Sequence, residues 1–482
     1  MRRYGEYILV LALLIPLLFL NTRNSHDWGD DFAQYIHQAQ NISKGVSQNE
    51  TGYVFNPGAF LGPQAYPPGF PLLLAPVVSA WGVDYAAMEV YLSAFLMLAC
   101  FTGFLILRHF YSFSTAFITT LIIAYNPVTI SFKTEILSDI PFMFFSMLAL
   151  WLAMKKPHWL YAAGTGLILG FASQIRSIAV VLMLAVLLQQ ILTLKREDRL
   201  SFQSLRLPAI LLVSFLLCYF GIQWIWPANS AYPQFFDTNT PYQTAVIHLS
   251  SHNESLHKFF RDYDVKDYFF INCIAASCLT AFGLLGFCRS LAVHKASLFN
   301  LYVLGYLIII VSYKFGDTGL RFVFPLLFLI FFYAILGLKM AFSGWILKPS
   351  GLSFLFGFFI LFSYYEPLAN MHAQRHAIAD GPCTPEATAL FKFIQSQVPP
   401  SSVIAFDKPR ALSLYTGRSG MCPDNTLVGE RLLDQLHAFH CSYILTKENL
   451  SSASRISEIQ ADTLHYKSVY RKGGFELSKL YH

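Results

Sequence analysis

The sequence predicts a mainly α, polytopic membrane protein of about eleven transmembrane helices, with a small C-terminal α/β domain outside the membrane. Three observations predict it: the composition, the length of the apolar runs, and the way lysine and arginine fall between them. Of 482 residues, 55% are hydrophobic and 16% aromatic, while only 13% are charged, and the mean hydropathy is +0.46. A soluble globular chain carries roughly 25% charged residues. The 45 Phe and 26 Tyr are too many to hide in a water-soluble core. A cytosolic enzyme, a disordered chain and a disulfide-stapled secreted module are thereby excluded. The net charge of +6 does not point to nucleic acid, because the cations lie between apolar runs and form no stripe. Membrane lipid is the surrounding partner for most of the chain.

A span needs ~20 mostly apolar residues, with a range of about 17 to 25. Eleven runs qualify, at about 5–21, 86–107, 113–131, 138–154, 159–175, 177–194, 207–226, 268–288, 297–313, 320–342 and 352–366. The first follows Arg2 and Arg3 and ends at Leu20-Asn21-Thr22 without a small-residue cleavage site, which fits a retained anchor better than a cleaved signal peptide.

Orientation follows from the connecting loops. With the N-terminus in the cytoplasm, Arg2, Arg3, Arg108, Lys155, Lys156, Lys195, Arg196, Arg199, Arg206, Arg289, Lys295, Lys339 and Lys348 lie on the inner side. Only Lys133, Arg176, Lys314 and Arg321 lie in or beside the short outer loops. The expectation is an integral, multi-pass protein of the plasma or inner membrane, N-terminus cytoplasmic and C-terminal domain outside. Three polar segments are too long for simple connections, and all fall outside: 22–85, 227–267 and the tail from about 367 to 482. The domain division expected is therefore 1–366 in the membrane, including both long outer loops, and 367–482 as a soluble outer domain. Long ordered loops are usually functional, so the outer face is where this chain works.

The tail alternates helix and strand, as an α/β layer domain does. Glu386 to Val398 has helical spacing and is stopped by Pro399-Pro400. Ser402 to Phe406 is a short buried-strand candidate, Arg410 to Tyr415 is helix-like, and Ser442 to Leu445 reads as a second strand. The Gly473-Gly474 turn introduces a last one at Phe475 to Leu477. No phosphate-binding glycine loop is present in the tail, which suggests an accessory or acceptor-facing role. Of eight cysteines, Cys100, Cys218, Cys273, Cys278 and Cys288 sit in apolar spans as packing residues. Cys383, Cys422 and Cys441 lie in the tail, where one disulfide could form. None has zinc-site spacing.

Candidate chemistry starts in the first outer segment, at His26-Asp27-Trp28-Gly29-Asp30-Asp31-Phe32. From Phe32 the apolar positions recur with helical period, which predicts a helix along the membrane surface with Asp30 and Asp31 at its N-terminal end. Helix capping accounts for such acids. So does catalysis, since the same N–H groups would keep a carboxylate ionised at neutral pH. A second acidic cluster is Glu135-Ile136-Leu137-Ser138-Asp139-Ile140-Pro141. It either starts the next helix, with Pro141 in its first turn, or supplies a carboxylate that would be costly at the edge of hydrocarbon without a partner. Between them, Tyr66-Pro67-Pro68-Gly69 sets a stiff turn, and the run from Phe70 to Trp81 is too short to span. It reads as a re-entrant or interfacial helix.

These motifs occur in a familiar order. The anchor helix precedes Gly29-Asp30-Asp31-Phe32-Ala33-Gln34-Tyr35, Tyr66-Pro67-Pro68-Gly69 and Glu135 to Phe142. Gly170-Phe171-Ala172-Ser173-Gln174-Ile175-Arg176 and Arg321-Phe322-Val323-Phe324-Pro325 follow. Together they resemble the GT-C membrane glycosyltransferases, particularly the branch of the protein O-mannosyltransferases and lipid A aminoarabinose transferases. The resemblance implies a hexosyl or pentosyl transferase that inverts the anomeric centre. It implies a polyprenyl-phosphate sugar as donor and a lipid, glycan or protein as acceptor on the outer face. It also implies that Asp30 is the general base, with Asp31 beside it, and that Asp139 and Glu135 form the second acidic position. Arg321, Arg176 and Lys314 are then the cations for the donor phosphate, and Tyr66, Pro67, Pro68 and Gly69 shape the site. Where the aminoarabinose transferases have Lys before the double proline, this chain has Tyr66. No cofactor is required by the sequence, and a divalent metal has room beside the acids.

Guanidinium suits a phosphate because its planar fork binds bidentately. Attack at an anomeric carbon needs a base for the acceptor, while the phosphate is already a good leaving group. Other readings are a transporter or flippase, a polymerase or ligase of lipid-linked glycans, or a non-catalytic membrane scaffold. The first of these does not use the acidic pair, and polymerases and ligases usually keep their main outer loop late in the chain.

Overall fold

The computed structural model describes residues 2–59, 61–196, 201, 203–228, 241–261, 269–313, 319–343 and 349–481. The architecture is mainly helical, with one six-stranded sheet. Every long apolar run contains helix. Four helices among the described residues are long and apolar enough to cross a membrane: Tyr85–Phe110, Arg206–Ile225, Asn272–Val293 and Phe324–Ala341. A fifth is counted if the bent pair Phe113–Ala124 and Pro127–Glu135 is one span. This is fewer than the eleven apolar runs suggest. Helices such as Asp139–Ala153 and Leu298–Ser312 have 15 residues, about 22 Å at ~1.5 Å per residue, against a hydrocarbon core of ~30 Å.

The run 113–131, expected as one span, is broken. Asn126 leaves the helix, its side-chain oxygen accepts from Val128 N at 2.9 Å, and Pro127 starts a new helix in its preferred first position. The two pieces meet at 51°. Asn126 also donates to Phe259 O at 2.7 Å and Tyr364 Oη at 3.0 Å, so the break is held by buried polar bonds.

The chain separates into two compact units. The helical unit takes 1–22, 89–225 and 233–375. Its tightest helix crossings are built on glycine. A Cβ at Gly170 of the Trp159–Ile175 helix would lie 2.7 Å from Phe215 O, and one at Gly166 would collide with Leu211 O. A Cβ at Gly286 would likewise collide with Tyr333 O, and one at Gly337 with Phe282 O. Small residues four apart let backbones approach where lipid gives helices no hydrophobic drive to associate.

The second unit takes 23–88, 226–232 and 376–482. The segment 23–88 thus folds with the tail, whereas the boundary expected at 366/367 grouped it with the membrane domain. The reason is a strand exchange. The sheet order is β1-β3-β2-β4-β6-β5, with β1 (Tyr53–Val54), β2 (Val403–Ala405), β3 (Ser419–Met421), β4 (Cys441–Lys447), β5 (Tyr466–Lys472) and β6 (Phe475–Leu480). The first of these comes from the early segment and pairs in parallel with β3, Tyr53 opposite Gly420 and Val54 opposite Met421. β2 lies between β3 and β4, parallel to both, and β4, β6 and β5 form an antiparallel run. Ala405, Met421, Leu432, Leu436, Cys441, Ile444 and Leu480 pack its core.

The tail elements expected from sequence are present, as helices Pro385–Gln397 and Pro409–Thr416 and strands β2, β4 and β6. Thr384 caps the first helix by accepting from Ala387 N, and its chain leaves at Val398, before the double proline. The chain runs from β2 to β3 on one side and then from β3 to β4 on the other side of β2, so the carboxyl ends of β2 and β4 flank a topological switch point, where open α/β sheets place their ligands. Asp407, Lys408, Pro409 and Arg410 follow the β2 end directly. All eight cysteines are free thiols, so the disulfide allowed in the tail is not formed.

Candidate functional site

Two clusters contain the candidate residues, one in each unit. The first begins with the Asp31–Ser43 helix. Asp30 precedes it with φ 140°, ψ −37°, a conformation that non-glycine residues rarely adopt, and its side chain makes no capping bond to that helix. The capping explanation therefore fails for its own helix. Asp30 Oδ1 instead accepts from Ala411 N at 3.2 Å, in the first turn of the Pro409–Thr416 helix. Its Oδ2 is buried without a hydrogen-bond partner and lies 3.8 Å from Arg410 Nε, which is likewise unpartnered.

Arg410 is buried completely and was not singled out by sequence. Its Nη1 donates to Asp31 Oδ1 at 3.0 Å and to Tyr66 Oη at 3.1 Å, and its Nη2 donates to Pro63 O at 2.8 Å. The guanidinium also lies over the rings of Tyr53 and Tyr66, 4.7 and 5.1 Å from their centres. Tyr66 donates its hydroxyl to Asp31 Oδ1 at 2.6 Å. Its backbone is clamped by Gln38, which accepts from Tyr66 N at 3.1 Å and donates to Tyr66 O at 2.9 Å. Pro67 and Pro68 then lead into the Gly69–Trp81 helix, with Pro68 at its N-cap. The tyrosine before the double proline is thus a hydrogen-bond partner of the second acid.

Burial decides the charge of Asp30. It pushes the carboxyl up to about 7, against the pull of Arg410, the Ala411 N–H and Lys408, and with a further push from Asp31. The expected fully ionised carboxylate is corrected accordingly: near neutral pH Asp30 is poised between its two states. Burial likewise raises the hydroxyls of Tyr66 and Tyr53, the latter to about 12, so both remain proton donors.

The second cluster lies in the helical unit. Asp139 opens the Asp139–Ala153 helix with its side chain wholly buried. It pairs with Arg176, the residue that ends the Trp159–Ile175 helix, and its Oδ2 lies 3.5 Å from Arg321 Nε. The Arg176 guanidinium is 5.4 Å from the centre of the Phe322 ring. Arg321 lies in a short 3₁₀ turn, Gly319–Phe322, with a third of its side chain exposed. Asp139 is thus one anion that faces Arg321. Glu135 ends a separate 3₁₀ turn, and Ile136 after it is left-handed at φ 48°, a rare setting for a β-branched residue. Lys314 lies outside the described residues.

The fold is shared with solved structures of ArnT and of an archaeal oligosaccharyltransferase. Over 98% of its length the chain is similar to ArnT from Cupriavidus metallidurans bound to undecaprenyl phosphate. The identity is 12%, the TM-score 0.57, and 98% of that chain is covered. The apo state of the same enzyme matches at 10% identity and TM-score 0.54, over 99% of this chain and 98% of that one. The oligosaccharyltransferase of Archaeoglobus fulgidus, in its apo form, matches at 13% identity and TM-score 0.53, over 92% of this chain and 69% of that one. No protein-family model matches the sequence, and no curated protein matches it.

Proposed function

We propose that this chain is a membrane glycosyltransferase that moves a sugar from a polyprenyl-phosphate carrier to an acceptor on the outer face. The observation that carries this reading is Asp30: a buried carboxyl with one oxygen unpartnered and a pKa raised to about 7. A general base works best when its pKa lies near the operating pH. The fold supplies the class, since ArnT was captured with undecaprenyl phosphate.

In this reading Asp30 takes the proton of the acceptor hydroxyl or amine as that atom forms its bond to the anomeric carbon. The bond from that carbon to the phosphate oxygen breaks, and polyprenyl phosphate leaves with the electron pair. One displacement inverts the anomeric centre. Arg321, with Arg176, meets the phosphate through forked donors, and Asp139 holds the two guanidinium groups in orientation. Asp31 and Tyr66 support the base. The full set of eleven spans, the cytoplasmic N-terminus and the outer position of 22–85, 227–267 and 367–482 belong to the same reading. The test is turnover of a synthetic polyprenyl-phosphate sugar by purified protein, read as release of polyprenyl phosphate. A folded protein that binds such donors and never releases the carrier would favour a transporter instead.

A further inference from the structure

The Pro409–Thr416 helix begins at the carboxyl end of β2, at the switch point of the sheet, and the acid pair of the early segment lies against its first turn. That places a tail residue in the midst of residues read as catalytic. Arg410 touches three of them: Asp31 at 3.0 Å, Tyr66 at 3.1 Å and Asp30 at 3.8 Å. A buried guanidinium is costly, and its five N–H donors ask for partners. Five contacts hold its two terminal nitrogens and the flat faces, yet Nε is left facing the unpartnered oxygen of Asp30. A residue serving only to fasten the tail would be expected to close that contact.

We propose that Arg410 is a positioning residue for the acid pair: its fork fixes Asp31 and Tyr66, and its charge keeps Asp30 available as a proton acceptor. This rests on the reading of Asp30 as the base, and it gives the tail a part in catalysis instead of an accessory role. Around Asp30 the charged and titratable groups are Arg410 and Lys408 from the tail and Asp31 from its own helix. Tyr53 of β1 and Cys422 after β3 complete the set. Arg410 is the only buried cation among these, because Lys408 reaches away to Gly29 O at 2.9 Å. Removing it takes away an opposite charge about 4 Å from the carboxylate, a change that moves a carboxyl by roughly one unit or more.

The experiment compares wild type, Arg410→Gln and Arg410→Lys in full-length protein, using the pH dependence of turnover with a synthetic polyprenyl-phosphate sugar. Gln retains amide donors for Pro63 O and Tyr66 Oη but no charge. Its acid limb is expected about one unit higher than in wild type. Turnover near pH 7 should then fall about fivefold and recover at higher pH. Lys retains a charge and is expected to bring the limb back close to wild type, at reduced turnover because the fork is lost. A limb unmoved in Arg410→Gln, or displaced equally in Arg410→Lys, would overturn the proposal.

Infrared difference spectra supply a readout that does not depend on turnover. The carboxylic-acid C=O band lost in Asp30→Asn should persist to higher pH in Arg410→Gln. Persistence of that band without activity in any variant would spare Arg410 and refute the reading of Asp30. A normal Asp30-dependent rate with an unmoved band would do the reverse. Should Arg410→Gln not fold, a limb or band displaced in folded Arg410→Lys protein also counts against the proposal.

Discussion

Asp30→Asn separates catalysis from structure because the geometry makes opposite demands on the two. Asn retains an oxygen to accept from Ala411 N, now 3.2 Å from Asp30 Oδ1, so the start of the Pro409–Thr416 helix stays capped. What is lost is the acid–base group. General-base catalysis contributes about 10²- to 10⁴-fold, and turnover should fall by that order with donor affinity little changed. Stability should move the other way. The folded pKa, about 7, lies above the ordinary carboxyl value of 3.8, because burial penalises the charged form.

The native state therefore holds the Asp30 proton more tightly than the unfolded chain. Its stabilising effect is complete below about pH 4 and is lost as pH rises through about 7. A shift of about three units corresponds to about 4 kcal/mol at most. Asn carries no such dependence. The unfolding temperature of Asp30→Asn relative to wild type should thus rise from pH 4 to pH 8. Paired pH series of turnover and thermal unfolding check both halves. A folded Asn variant with near-normal turnover, or a stability difference flat across that range, would refute the reasoning. Asp31→Asn should cost less rate, since Asp31 acts through Tyr66 and Arg410.

Two further outcomes follow from the second cluster and from topology. Arg321→Ala should weaken donor binding strongly and Arg321→Lys should recover it only in part, because a point charge replaces a fork; equilibrium binding of a polyprenyl-phosphate sugar reads this, and unchanged affinity in the Ala variant removes Arg321 from the donor site. Single cysteines at the exposed positions Ser47 and Glu448, in a background without the native cysteines, should react with an impermeant thiol reagent in intact cells. Labelling confined to broken membranes would reverse the orientation and the proposed working face.

How far the sequence could be read depended on the range of the contacts. The apolar runs and the tail helices are local signals, and apart from the broken run 113–131 each contains a helix close to its expected place. The helix at Phe32 and the one after Pro68 were legible for the same reason. The break at Asn126-Pro127 was written in the chain as a cap followed by proline, but the surrounding run is apolar enough to hide it. Strand β1 could not be seen, because two residues carry no period, and its partner lies in the tail at Gly420-Met421. The acid pair was named from its motif, yet the arginine that contacts it stands 379 residues away. The only local hint of Arg410 was an arginine placed directly after a strand and a helix-starting proline. Asp139, Arg176 and Arg321 were each named, but nothing in their spacing said that the two arginines share the one carboxylate. The charge of Asp30 was misjudged because burial, which decides it, is a property of the fold and not of the helix start.

The central claim is that Asp30 takes a proton while a sugar leaves its lipid phosphate. Single-turnover reaction of purified wild type and Asp30→Asn with a polyprenyl-phosphate sugar and a panel of envelope lipids, glycans and peptides tests it directly, with carrier release and product configuration both followed. The account predicts release of polyprenyl phosphate by wild type with inversion at the anomeric carbon, on a rate that rises through pH about 7, and loss of that rate and its pH dependence in Asp30→Asn with the donor still bound. Retention of configuration, or equal single-turnover rates in the two proteins, would contradict it.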